Sequence, residues 1–552
     1  MAPIACGGGA AARGLPSRQA ALRALADERF DLLIVGGGAA GTGLALAAAA
    51  VGLRTALVER DDFGSGTSSR STKLLHGGVR YLERAVRRLD AAEFALVREG
   101  LAERAAVFRA APHLARRLAI LTPCPDAAAL GYYAAGLGFY DMLAGSRRLG
   151  PTRVLGASAT RKAFPALAPG GLRGGVVYYD GQFDDARLAA LLAVSAAERG
   201  ASVANHVEVR GLARDGAGRV TGALVRDGMA GSTWTVRARA VVNAAGPFAA
   251  DVAALDGQAA GTGLQVSSGV HVVCRGGVCP PDTGLLIPRT NDGRVLFVLP
   301  WLGHTLIGTT DRPAAPARHP DVPERDVGYL LDHTARYLGA PLGPADVRSS
   351  WCGLRPLLRP GGSGAATADL SRRHAVVESA SGLLTIVGGK WTTYRRIAAD
   401  ALAALARRPG WPDVSGALAD LPVAGGAGYT EGTARADRDR CGLPAETAIH
   451  LQQRYGTRMP EVAALVTAGR GDRLAEGFPY LEAEVLWAVR REMAARLMDV
   501  LARRTRLAFL DRAAAIRAAP RVAALMAAEL GWDAARRGAE EAEAGERLRG
   551  SL

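Results

Sequence analysis

The chain of 552 residues is long enough for two or three domains with sizeable cores. Its net charge of +15 is carried by arginines spread along the whole sequence, with Lys73, Lys162 and Lys390 the only lysines. No basic patch marks a nucleic-acid binder; the base composition of the gene is the plainer source of the arginines, and contact with an acidic partner such as an anionic lipid surface is the sharper reading.

Residues 1–29 read as a lead-in with a short helix near Gln19 to Glu28. They lack the basic start and unbroken apolar run of a secretion signal. The next segment, DLLIVGGGAAGTGLALAAAAVGLRTALVER (31–60), is the most informative in the chain. Leu32 to Val35 predict a buried strand, and Gly36, Gly38 and Gly41 open an Ala-rich helix. A second strand, Thr55 to Val58, then ends in Glu59. Strand, glycines, helix, strand and acid in this order make a dinucleotide cradle: a tight turn, backbone close to a pyrophosphate at a helix N-terminus, and a carboxylate for a ribose hydroxyl. The acid favours FAD or NAD over NADP. The glycines and the charges at Arg54, Glu59 and Arg60 argue against a membrane span here, and no other stretch is apolar enough for one.

The stretch 61–83 is rich in glycine and serine, and 84–118 reads as a charged helix pair. Strand alternation at 173–179 precedes a turn and helix over 180–201. Another strand, Ala240 to Asn243, meets a small-residue turn at Gly246, and 264–350 is rich in β-type runs. The strand LLTIV (383–387) leads through Gly388, Gly389 and Lys390 into a helix from Thr392. A Pro/Gly-rich linker then precedes an Arg/Ala-rich helical tail. The cysteines at 6, 124, 274, 279, 352 and 441 contain no CxxC, which suits a reducing cytosol and disfavours both a metal site and a disulfide reductase.

The strings VGGGAAGTG (35–43), TSSRSTKLLHGGVRYLE (67–83), DGQFDDARL (180–188), GVHVV (269–273), GLRPLL (353–358) and IVGGKWTTYR (386–395) carry a family resemblance. From residue 30 onward the chain resembles the FAD-dependent respiratory glycerol-3-phosphate dehydrogenases. The resemblance implies an α/β fold, with a glutathione-reductase-like FAD-binding Rossmann domain interleaved with an antiparallel-sheet substrate domain and followed by an all-helical C-terminal domain. The implied FAD-binding segments are about 30–110, 170–255 and 350–405, and the substrate segments 111–169 and 256–349. A linker over 406–429 and a helical domain over 430–552 complete the chain. Two positions depart from the family pattern: Ser268 stands where a basic residue is usual, and Ala47 where an Asp is.

The implied reaction oxidises sn-glycerol 3-phosphate to dihydroxyacetone phosphate, with FAD as hydride acceptor and a quinone as onward acceptor. The alternatives are an oxidase using dioxygen, an amine or amino-acid oxidase of the same fold, and a flavin-bound sensor without turnover. The resemblance implies His271 as general base with Lys390 as second candidate, and Arg355 as the phosphate clamp, since a guanidinium fork suits a phosphate. Arg80, Tyr81, Arg372 and Lys390 join Arg355 around the substrate. Gly36, Gly38, Gly41, Gly43, Glu59, Thr67, Ser68, Lys73, Leu74, His76, Val207, Gly246, Gly389 and Thr392 are expected to hold the cofactor. The expected location is the cytoplasmic face of the cell membrane, peripherally bound, with apolar anchors on the lead-in or tail. A homodimer stays open.

Overall fold

The computed structural model describes residues 17–78, 91–257, 263–358, 373–412, 414 and 420–552. Among these, the strands form an eight-stranded and a ten-stranded sheet. Arg29–Val35 is the centre of the first. It pairs in parallel with Thr55–Val58 on one side and Thr233–Asn243 on the other, and Ser202–Ala204 and Leu384–Gly388 extend the parallel set. The register sets Val35 beside Val58 and Asn243, so the carboxyl ends of these strands converge on one edge, where ligands bind in open α/β sheets. The helices Ala39–Ala50, Asp185–Glu198 and Tyr394–Ala406 pack on one face over Leu32, Ile34, Leu57 and Val242. The alanines of Ala39–Ala50 allow close packing: Ala45, Ala47, Ala48 and Ala49 are all buried. Ala47 therefore occupies a wall position where a carboxylate would need a partner. The opposite face is covered by the helix Arg18–Asp27, whose start agrees with the expected lead-in helix, and by the hairpin Val207–Arg214/Val220–Asp227.

The second sheet is built mainly of antiparallel pairs. Its order runs Arg312–Pro313, Leu264–Cys274, His304–Gly308, Leu296–Trp301, Thr283–Ile287, Ala115–Cys124, Gly174–Phe183 and Leu74–Leu75, while Val347–Leu358 pairs with Leu264–Cys274. The segment boundaries expected from the sequence shift accordingly. Gly174–Phe183 and most of Val347–Leu358 fall in the segments expected for the cofactor domain, yet both hydrogen-bond into this second sheet. Of the expected helix pair over 84–118, the described part is one helix, Ala91–Ala110, followed by a strand from Ala115. The strand Ala115–Cys124 buries its alternate apolar residues Leu118 and Ile120, and this period-two pattern outweighs the local charge of Arg116 and Arg117.

From Glu431 onward the described chain is helical, with Glu482–Arg491, Arg512–Leu530 and Ala534–Arg549 as its longer elements beside Glu431–Arg440 and Ala445–Tyr455. Its apolar residues join a core shared with the second sheet, through Trp351, Trp301 and Phe509. No helix among the described residues is long and apolar enough to cross a membrane.

Candidate active site

The converging strand ends open onto a cavity of about 820 Å³. Gly36 turns the chain with φ +108°, and a Cβ there would stand 2.7 Å from the Ala244 carbonyl oxygen. At Gly41 a Cβ would overlap the Gly36 carbonyl, so the helix can approach the strand only without one. The Ser68 hydroxyl accepts from the Ala39 amide at 2.9 Å, bringing the loop 64–70 against the helix N-terminus. The Glu59 carboxylate accepts from the Gly37 and Asp61 amides at 2.6 and 2.8 Å. Burial, together with the nearby Asp61, raises its pKa. A cavity of this size, with glycine-bared backbone, a helix N-terminus and a carboxylate at the second strand's end, fits a dinucleotide.

Gly36, Gly38, Glu59, Thr67, Ser68, Val207, Gly246, Gly389 and Lys390 line the cavity together. Gly41 and Gly43 serve packing behind it, Gly43 against the Tyr394 ring. Lys73 points elsewhere. Its ammonium is fully buried, donates to Asp185 at 2.7 Å and to the Ser69 carbonyl at 2.8 Å, and lies over the Trp351 ring. Burial pulls it down to about 7, against the pull of Asp185. Leu74 packs in the core shared with the helical domain. His76 is half-buried outside the cavity wall, and Thr392 is buried in the turn Trp391–Thr393. Arg80, Tyr81 and Arg372 lie outside the described residues.

The second sheet supplies a polar hollow by register. Leu264–Cys274 and Val347–Leu358 run antiparallel with His271 opposite Trp351, Gly269 opposite Gly353 and Ser267 opposite Arg355. Positions two apart share a face, so these three levels form one column. The two glycines hollow out its middle: the Arg355 guanidinium crosses the space that a Gly269 side chain would fill. Arg355 donates to the Ser268 and Thr310 carbonyls at 3.2 Å and to the Thr309 hydroxyl at 2.9 Å. His271 stacks on Trp351, with ring centroids 5.3 Å apart, and its Nε2 lies 2.9 Å from the Thr72 hydroxyl. Burial, then the charges of Lys73 and Arg355, hold the imidazole well below its usual pKa, so it stands neutral as a base must. Ser268 belongs to the opposite face, where its hydroxyl donates to the Arg312 carbonyl. The missing basic side chain therefore does not leave a gap in this column.

The cavity and the column share an edge. The cavity reaches Pro356, next to Arg355, and Lys390, while the Thr67 hydroxyl donates to the Leu354 carbonyl. The Trp391 indole donates to the Ser68 carbonyl at 2.7 Å, tying the Gly388–Lys390 turn to the same loop. Sequence reasoning passed over Thr72 and Trp351, because only the cross-strand register and the loop's return bring them to His271.

The comparisons agree with this geometry. A sequence model described as FAD dependent oxidoreductase matches residues 31–395, and one described as the C-terminal domain of alpha-glycerophosphate oxidase matches 418–537. The human mitochondrial glycerol-3-phosphate dehydrogenase is 44% identical over 94% of this chain and 73% of its own length. The mitochondrial glycerol-3-phosphate dehydrogenase of Arabidopsis thaliana is 42% identical over 97% and 89%. The structure of glycerol-3-phosphate dehydrogenase from Bacillus halodurans, complexed with FAD, superposes with a TM-score of 0.78 at 29% identity, covering 97% of this chain and 98% of that one. A dinucleotide cradle joined to a buried histidine and a guanidinium thus sits in an FAD-dependent oxidoreductase, and the chain belongs to the family of FAD-dependent glycerol-3-phosphate dehydrogenases.

Proposed function

We propose that the protein oxidises sn-glycerol 3-phosphate to dihydroxyacetone phosphate and passes the electrons to a quinone. The observation carrying this reading is the column His271–Gly269–Arg355 beside the dinucleotide cavity, which sets a neutral base and a fixed cation on one face. FAD, when bound, supplies the acceptor for the hydride leaving C2. Gly36, Gly38, Ser68 and Gly246 would hold its diphosphate side, Glu59 and Val207 its adenosine, and Gly389 and Lys390 its reactive end. Arg355 binds the substrate phosphate, with Arg80, Tyr81 and Arg372 as further candidates. His271 Nε2 exchanges its Thr72 partner for the C2 hydroxyl and takes that proton as the ketone forms. Lys390 stabilises negative charge developing on the same oxygen.

Anaerobic addition of glycerol 3-phosphate to the purified holoenzyme tests this. The flavin spectrum should bleach with glycerol 3-phosphate and barely respond to glycerol. His271→Ala should slow bleaching by about 10²–10⁴-fold, the usual value of a general base. Arg355→Ala should lower kcat/KM by roughly ten- to a hundred-fold, matching a charge-assisted hydrogen bond. Bleaching by an amino acid, but not by glycerol 3-phosphate, would instead assign an amino-acid oxidase.

A separate observation supports docking on an anionic membrane surface, where a quinone dissolves. The helix Ala127–Ala144 exposes Ala128, Gly131, Ala135, Tyr132 at 49% and Met142 at 65%, and its first charged residue is Asp141. This apolar face lies on the substrate sheet rather than on the tail. Together with basic residues worth about 1 kcal/mol each near anionic lipid, it suits peripheral attachment. Sedimentation with anionic vesicles should be weakened by high salt and by Tyr132→Asp. Full turnover in air with stoichiometric hydrogen peroxide, from protein that ignores such vesicles, would favour the oxidase.

A further inference from the structure

One wall of the dinucleotide cavity comes from the opposite end of the chain. Arg70, from the loop after Ser68, and Arg547, from the helix Ala534–Arg549, line it together with Gly38 and Ser68. Arg70 is 5% exposed. Its two terminal nitrogens reach only the Arg318 carbonyl, at 3.4 and 3.5 Å, and its Nε has no partner. Arg547 lies 3.3 Å from His319 Nδ1, and its buried Nε is likewise without a partner. The acids on this wall are already engaged: Asp61 by Arg318, Asp62 by Arg503 and Arg504, and Glu543 by Arg496. Among the described residues, no carboxylate lies within ion-pair distance of Arg70 or Arg547. Burial, then Arg547, pulls Arg70 down to about 10, and burial, then Arg503, does the same to Arg547. His319, held at about 4 chiefly by burial, is neutral and accepts from Arg547 without adding charge.

Two cations removed from water without a carboxylate paired to them are costly, and a cavity ligand bearing negative charge relieves that cost. The dinucleotide brings two such charges to the cavity they line. We propose that Arg70 and Arg547 clamp the diphosphate of the bound FAD, so that the last helix of the C-terminal domain completes the cofactor site.

Equilibrium dialysis of the full-length holoenzyme, with retained FAD read by absorbance, tests the clamp. Arg547→Met and Arg70→Met should each weaken FAD binding roughly ten- to a hundred-fold, and Arg547→Lys should restore part of the loss. The salt dependence of FAD retention should be shallower in the Met variants than in the parent. Should a Met variant fail to fold, as judged by circular dichroism at saturating FAD, Arg547→Lys and the parent's salt dependence decide instead. FAD affinity and salt dependence that are the same in all folded variants would overturn the clamp. So would inorganic phosphate binding to the FAD-saturated holoenzyme and vanishing with Arg547→Met, which would mark a separate anion site.

Discussion

Leu32, Leu33 and Ile34 in the central strand Arg29–Val35 are fully buried in apolar clusters, and the helices against them are mostly alanine and leucine. The junction under the C-terminal helices is built differently. Asp62 accepts from Arg504 at 2.7 Å, from Asn205 at 3.0 Å and from Arg503; Glu492 pairs with Arg187 at 2.7 Å; Asp499 pairs with His206 at 2.9 Å. Beside them Asp185 holds both Lys73 and Arg506. Apolar contact tolerates small slips, whereas a buried ion whose partner moves away is left uncompensated. The difference teaches a division of labour. The sheet is stabilised by burial, and the junction adds little net stability but permits a single docking pose. That pose sets Arg506 on the Ser69 carbonyl and brings Arg547 to the cofactor cavity.

Acid should break the junction first and with the largest effect. Burial alone would raise Asp62, Glu484, Glu492 and Asp499. Their partners overrule it, chiefly Arg504 for Asp62, His450 for Glu484, Arg187 for Glu492 and His206 for Asp499. All four lie below their ordinary range, Glu484 at about 2. Depressed carboxylates contribute stability that is full above their unfolded values and lost as pH falls through the folded ones. Between about pH 4.5 and 2, amide hydrogens in 482–549 should therefore exchange while those of Arg29–Val35 stay protected. Simultaneous exchange would dissolve the distinction.

Asp62→Ala should come next. It removes the carboxylate that Arg503 and Arg504 share, leaving Arg503 on Asp499 and Arg504 on the Glu492 carbonyl, and should cost about 3–5 kcal/mol, the usual penalty for breaking a buried pair. Urea unfolding should show the helical region leaving, and the flavin with it, before the sheet around Arg29–Val35 unfolds. A single unchanged transition would show that apolar packing holds the junction too. The smallest effect belongs to the sheet: Ile34→Val should cost only about 0.5–1.5 kcal/mol, in one transition with FAD affinity intact. Early loss of the C-terminal helices in that variant would show that the sheet sets the docking.

The same contrast explains what could be read from the sequence. The FAD cradle was legible because strand, glycines, helix and Glu59 follow one another within thirty-one residues, 29–59, and each has a local reason. His271 and Arg355 were legible as motif positions only; their common face follows from a register that pairs Ser267 with Arg355. The family motif suggested a cofactor role for Lys73, but its ammonium is turned toward Asp185 and the aromatic rings by a helix 112 residues further on. The junction could not be read at all, since Asp62 and Arg503 are 441 residues apart and neither spacing nor periodicity links them.

The distant wall of the cavity also sets an order of assembly. Synthesis from the amino end makes the Gly36–Glu59 segment early, but Arg503 and Arg547 join the cavity only after the helices that carry them have been made. A nascent chain therefore offers FAD an open trough, and firm capture waits for the last helices to close. Cofactor loading becomes a checkpoint for the whole molecule, because a chain that holds its flavin tightly has also docked its C-terminal domain.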